Sequence, residues 1–183
     1  MPDRPTPTIT LQHRPALSGK EGLEGNGITI LPLPEGHVIE VLAKSDNAGL
    51  RKDLAALAPS PEPASVRAGA PRQWFIVGDT PLSRDEFRKL ADSLRPKADC
   101  VDQSHGRVRI QISGPKVEQV LAKGTAVDLA LSAFPAGHAT PAQIGHVATH
   151  LTRIAPDAFE IMVLRGFAES LWDELCLMAR EYL

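Results

Sequence analysis

The chain has 183 residues, with 20 Lys+Arg against 22 Asp+Glu for a net charge of −2, 43% hydrophobic residues and 2 Cys. That length suits one domain or two small ones, and near-neutral charge with only 4% aromatics excludes a general nucleic-acid binder. Cys100 and Cys176 cannot make a disulfide framework, and no apolar run reaches a signal-peptide core or the roughly 20 residues of a spanning helix, so the expectation is a cytoplasmic protein without nucleic-acid or membrane partners.

Ten of the 16 Pro precede Trp74, and every aromatic lies at or after it. Residues 1–36 alternate Pro-rich and Gly-rich stretches, which remove backbone donors or add chain entropy. They are predicted to form an extended or disordered N-terminal arm, anchored on a partner by Ile28, Ile30, Leu31 and Leu33. Residues 37–183 then read as a single α+β domain: a strand–helix unit at 37–58, a linker loop at 59–73 and the main core at 74–183.

His37–Lys44 is β-branched and compact and predicts a strand; Ser45 is a candidate N-cap for a helix carrying Leu50, Leu54 and Leu57. The continuous apolar run Trp74–Val77 predicts a central strand buried on both faces. Thr80–Leu94 predicts a helix, with Ser83 and Glu86 spaced as a capping box and an apolar stripe of Leu82, Phe87, Leu90 and Leu94. Ala98–Gln103 and Arg107–Ile112 predict two strands around Ser104-His105-Gly106. In the second, Val108, Ile110 and Ile112 share one face, and Arg107, Arg109 and Gln111 the other.

Ser113-Gly114-Pro115 starts a short helix with Val117, Val120 and Leu121 inward. Gln143–Arg153 and Phe159–Leu164 predict a hairpin turning at Ala155-Pro156-Asp157. The last helix, from about Gly166, carries Phe167, Leu171, Leu175, Met178 and Tyr182 on one stripe, with Trp172, Cys176 and Ala179 beside it. That face is wide enough to be covered twice, which makes Trp172 a candidate interface residue. The order of elements implies an α+β fold with helices packed on mostly antiparallel sheet.

Catalytic chemistry is sparse in the sequence. His146 and His150 are four apart but lie in a predicted strand, where that spacing is roughly 13 Å, too far for one zinc with bonds of about 2 Å. No G-x-S-x-G nucleophile turn and no dinucleotide glycine loop occurs. No catalytic, cofactor-binding or metal residue is assigned. His105, in a predicted turn, is a candidate to cap a neighbouring backbone or contact a partner, and Arg107 with Arg109, on one strand face, are candidate contacts to an acidic partner surface.

VDQSHGRVRIQISGP at 101–115, VLAKGTAVDL at 120–129, FPAGH at 134–138 and FAESLWDEL at 167–175 resemble the gamma subunit family of heterotetrameric sarcosine oxidase, over roughly Val38 to Leu183. That family is similar to the folate-binding aminomethyltransferase of the glycine cleavage system, through Asp102, Ser104, His105, Gly114 and Pro115. The resemblance implies an aminomethyltransferase-like α+β fold. It also implies partnership with alpha, beta and delta subunits in a complex that uses FAD, FMN, NAD, tetrahydrofolate and zinc, none of them held by this chain. The complex oxidatively demethylates sarcosine to glycine and passes the one-carbon unit to tetrahydrofolate.

The aminomethyltransferase carries an acidic pair where this sequence reads His146-Val147-Ala148-Thr149-His150, and an Asn-centred segment where it reads Leu164-Arg165-Gly166. Ala or Thr cannot replace a carboxylate that stabilises a cationic intermediate. The expectation is a non-catalytic gamma subunit. The alternatives are a stand-alone folate-binding protein of the aminomethyltransferase type and a scaffold subunit of a related N-methyl amino acid oxidoreductase.

Overall fold

The computed structural model describes residues 10–45, 49–57 and 65–183. Every strand pairing within them is antiparallel. The strands are β1 (Leu23–Gly25), β2 (Ile28–Pro32), β3 (His37–Ala43), β4 (Val66–Ala70), β5 (Gln73–Gly78), β6 (Ala98–Asp102), β7 (Arg107–Ser113), β8 (Ala139–Ile144), β9 (Val147–Ala155) and β10 (Ala158–Leu164). The helices are α1 (Leu50–Leu57), α2 (Arg84–Leu94), α3 (Val117–Leu121) and α4 (Ala168–Ala179), the last preceded by a 3-10 turn at Arg165–Phe167.

A six-stranded sheet runs β1-β2-β7-β10-β9-β8, and a four-stranded sheet runs β4-β5-β3-β6. Period-2 alternation gives each strand two working faces. On the larger sheet, Ile110, Ile112, Leu151, Phe159, Ile161 and Val163 pack against Val117, Val120 and Leu121 of α3 and Leu171, Trp172 and Leu175 of α4. On the smaller sheet, Ile39, Val41 and Ile76 pack against Leu50 and Leu54 of α1 and Leu90 and Leu94 of α2. The opposite faces meet each other, where Val38, Phe75 and Val77 close over Met162. The result is four layers, helix–sheet–sheet–helix, the α+β arrangement expected from the element order.

The central strand β5, the cap of α2 and the β9–β10 hairpin follow the sequence. Ser83 Oγ accepts from Glu86 N at 3.3 Å while the Glu86 carboxylate accepts from Ser83 N at 2.8 Å. The helix therefore begins at Arg84, not Thr80. Ser45 lies five residues before α1 and does not cap it.

Two segments depart from expectation. Residues 23–32 are strands inside the larger sheet rather than an extended arm: β2 pairs with β7, placing Ile30 opposite Ile112. Residues 66–70, expected as linker, form β4 at the edge of the smaller sheet, with a bulge between Ala68 and Ala70. Its short side chains hide a strand signal that residue type alone does not supply. β6 and β7 are not partners; the chain crosses from one sheet to the other between them. In addition, the strand expected over 143–153 is broken by a turn at Gly145-His146: Gln143 and Ile144 end β8, which extends the β9–β10 hairpin by one more strand.

Gly114 explains how β2 reaches β7. Its φ is +119, and a Cβ there would lie 2.5 Å from the Gly27 carbonyl oxygen. Only glycine accepts that backbone and that approach.

Candidate functional site

The polar residues converge in the layer between the sheets and at one of its ends. Arg67 of β4 donates from Nη1 to Glu160 Oε1 at 2.6 Å and from Nη2 to Oε2 at 2.9 Å, with both side chains about 95% buried. Arg109 of β7 reaches the same carboxylate at 3.6 Å and donates to Asp79 Oδ1 at 2.6 Å. Arg107 lies over the Phe75 ring, 5.0 Å from its centroid. Burial pulls its guanidinium below the usual range, and the Glu40 charge opposes this.

His150 of β9 hydrogen-bonds through Nε2 to the Ala68 carbonyl at 2.7 Å and packs edge-on to Phe75. Burial lowers its pKa to about 4, the Ala68 bond raises it, and Arg67 and Arg107 lower it further. These groups bind the two sheets together. Among them Arg67 and Arg109 are charge-paired, with Glu160 and Asp79.

The end of this layer is more open. Asp102 Oδ1 accepts from Ser104 N at 2.9 Å and from Ser104 Oγ at 2.5 Å, and Ser104 Oγ accepts from Val38 N at 3.1 Å. The D-x-S-H segment thus anchors the crossing loop to β3 and leaves His105 exposed. Leu33, Val38, Ser104, Arg107 and Arg109 line a void of about 10 Å³, the size of one water. Beside it lies a groove of about 560 Å³, bounded by Pro15, Leu17, Leu33, Glu35 and Val108.

Glu35 is held from two sides, by His13 and by Arg165 Nη1 at 2.8 Å. Burial pushes its carboxyl up, but those two hydrogen bonds and charges outweigh it and hold it below the ordinary carboxylate range.

The eight expected contact residues divide. Ile28 and Ile30 are 1% and 0% exposed and belong to the main core, so they anchor no external partner. Trp172 is 4% exposed in the same core: α4's wide apolar face is covered by its own domain. Arg109 is equally enclosed, and its acidic partners are Asp79 and Glu160 of its own chain. Leu31 is half-buried, opposite Gln111. Leu33, His105 and Arg107 remain together at the open end. Sequence reasoning missed Glu35, Arg165 and the buried Glu160. A carboxylate inside the β10 apolar run is the one signal that could have found Glu160, since buried charges are paired.

Among the described residues, no group of three His, Cys, Asp or Glu is placed to hold a metal ion. The carboxylate-free segment at 146–150 lies on β9 and the turn before it, and Glu160 is engaged by Arg67 and Arg109.

Comparison with known proteins gives two kinds of match. The model of the GCVT N-terminal domain family matches residues 66–182. Among solved structures, the chain is similar to a chain of the heterotetrameric sarcosine oxidase from Corynebacterium sp. U-96 in complex with pyrrole 2-carboxylate, with a TM-score of 0.76 and 18% identity, covering 92% of this chain and 95% of that one. It is also similar to the glycine cleavage system aminomethyltransferase T from Bartonella henselae, with a TM-score of 0.57 and 16% identity, covering 83% of this chain and 46% of that one. No curated protein matches significantly. The aminomethyltransferase-like fold expected from the sequence is the fold observed.

Proposed function

We infer the function of this chain from its family: it belongs to the GCVT N-terminal domain family, whose model matches more than half of its length. Within that family we read it as the gamma subunit of a heterotetrameric sarcosine oxidase, a non-catalytic chain that supports assembly with alpha, beta and delta subunits. On this reading FAD, FMN, NAD, tetrahydrofolate and zinc belong to those other chains, and the assembly works in the cytoplasm on sarcosine.

The observation that carries the reading is one of length. The chain and the sarcosine oxidase chain cover 92% and 95% of each other, whereas it spans only 46% of the aminomethyltransferase. A fold that coincides with nearly the whole of that sarcosine oxidase chain, with the buried Arg67–Glu160 pair holding two sheets together, suits a structural role.

The test is purification. The tagged full-length chain, expressed beside the flavoprotein chains of its own genome, should recover them in fixed stoichiometry, with flavin absorbance and sarcosine-dependent hydrogen peroxide formation in the eluate. A chain that is recovered alone and turns over or binds tetrahydrofolate by itself overturns the reading.

A further inference from the structure

The two ends of the segment that precedes β1 are held in different ways. Leu17 is 7% exposed and belongs to the core of the larger sheet. Residues 10–15 are exposed. Among the described residues, the backbone pairings of 10–20 are local: Ser18 N donates to the Pro15 carbonyl and Lys20 N to the Leu17 carbonyl, both at 3.0 Å. No sheet ladder holds this stretch.

Two polar ties join residues 10–16 to the rest of the described fold, and both end on one ion pair. His13 donates from Nε2 to Glu35 Oε2. Arg165 donates from Nη1 to Glu35 Oε1 at 2.8 Å and from Nη2 to the Arg14 carbonyl. Arg14 Nε bonds to Ser18 Oγ at 2.5 Å, which shapes the segment without fixing it to anything else. His13 also rests edge-on against His105, with ring centroids 5.9 Å apart. Glu35 lies between β2 and β3, and Arg165 follows β10, so the pair is rooted in the fold and not in the segment.

Ties of this kind, at exposed or half-buried groups, each favour closure by roughly threefold to tenfold. A stretch with no ladder bonds and little buried apolar surface belongs to the part of a fold that opens locally. Leu17 marks where that part stops.

We propose that residues 10–16 form a strap that swings open about Leu17 while both sheets stay intact, with the Glu35–Arg165 ion pair as its latch. Closed, the strap supplies the Pro15–Ala16 wall of the 560 Å³ groove. Opening removes that wall and the contact to His105, and widens the approach to the one-water void beside Arg107 and Arg109. The device is built from this chain alone and does not depend on the subunit reading above.

The experiment uses the full-length chain with Cys100→Ala and Cys176→Ala, carrying nitroxide labels on Leu11→Cys and Leu177→Cys, positions that are 92% and 62% exposed. A second label pair, Val101→Cys with Leu177→Cys, lies outside the strap and reports on the fold itself. Label–label distance distributions are measured by double electron resonance in this parent and in Arg165→Met, the milder Arg165→Lys, and Glu35→Ala. The expected result is one narrow strap distance in the parent and a closed-to-open ratio at least about fivefold lower in Arg165→Met and Glu35→Ala. Arg165→Lys, which keeps the charge but not the second prong, should fall between. The Val101–Leu177 distances should stay unchanged throughout. A strap distribution identical in all three variants overturns the proposal, because other contacts then hold the segment. A distribution as broad in the parent as in the variants overturns it too, because nothing is then latched. Broadening of both label pairs together assigns the effect to loosening of the whole fold and also overturns it.

Discussion

Arg67 and Glu160 meet across the two sheets in a two-pronged ion pair, 2.6 and 2.9 Å, from an edge strand of one sheet to a central strand of the other. A guanidinium fork matched to a carboxylate is the geometry that best offsets the cost of burying both charges. The pair therefore helps fix how the smaller sheet sits on the larger one, beside the apolar contact of Val38, Phe75 and Val77 with Met162.

Removing one member should be worse than removing both. Glu160→Ala leaves Arg67 and Arg109 facing a buried gap and should cost about 3–5 kcal/mol. The double variant Arg67→Met/Glu160→Leu should recover most of that loss. Denaturant unfolding of the single and double variants checks this, and strictly additive losses would contradict it.

His150 makes stability depend on pH in a definite direction. Its folded pKa, about 4, lies below the ordinary histidine value of 6.5, because burial penalises the charged ring. Between those values the unfolded chain binds a proton that the folded chain refuses, so stability falls as pH drops from 6.5 towards 4. The full effect is roughly 3 kcal/mol at 1.36 kcal/mol per pKa unit. Thermal melts across that window should show a steeper loss for wild type than for His150→Gln.

Trp172→Glu should unfold the isolated chain, because the side chain is 4% exposed among Leu171, Leu175 and the sheet residues. Burying a carboxylate there without a partner is untenable, and even Trp172→Ala should cost about 3–5 kcal/mol. Retained near-UV circular dichroism in Trp172→Glu, with assembly lost, would instead make this an interface residue.

Truncation before residue 37 should also abolish folding rather than only weaken assembly. It removes β1 and β2, takes Ile28 and Ile30 out of the core and bares the edge of β7. Soluble expression with an unchanged melting temperature would refute this.

Ser83→Ala removes the N-cap acceptor of α2 and should cost about 1 kcal/mol, lowering the melting temperature by a few degrees. Ser83→Asp, which keeps an acceptor at the helix N-terminus, should restore most of it.

These outcomes track what could be read locally. The capping box, the apolar run of β5, the alternation of β7 and the stripe of α4 are each encoded within a few neighbouring residues, and each formed. Ile28 and Ile30 were misread because their flanks are Pro and Gly. What makes that stretch a strand is the exposed edge of β7, some 80 residues further along the chain, together with room for it at Gly114. Arg107 and Arg109 were correctly assigned to one face. Whether that face meets water, a partner or another sheet is not written in the alternation.

The sequence by itself determined β5, β7, the capped start of α2, the apolar stripe of α4 and the family resemblance, because periodicity, caps and motifs are short-range properties of the chain. Tertiary structure decided which acidic groups the arginines meet, that Trp172 is interior, and that residues 13–18, 33–35, 105–107 and 164–167 form one surface. Those relations depend on which strand lies beside which, and a strand edge pairs with whatever the whole fold brings to it.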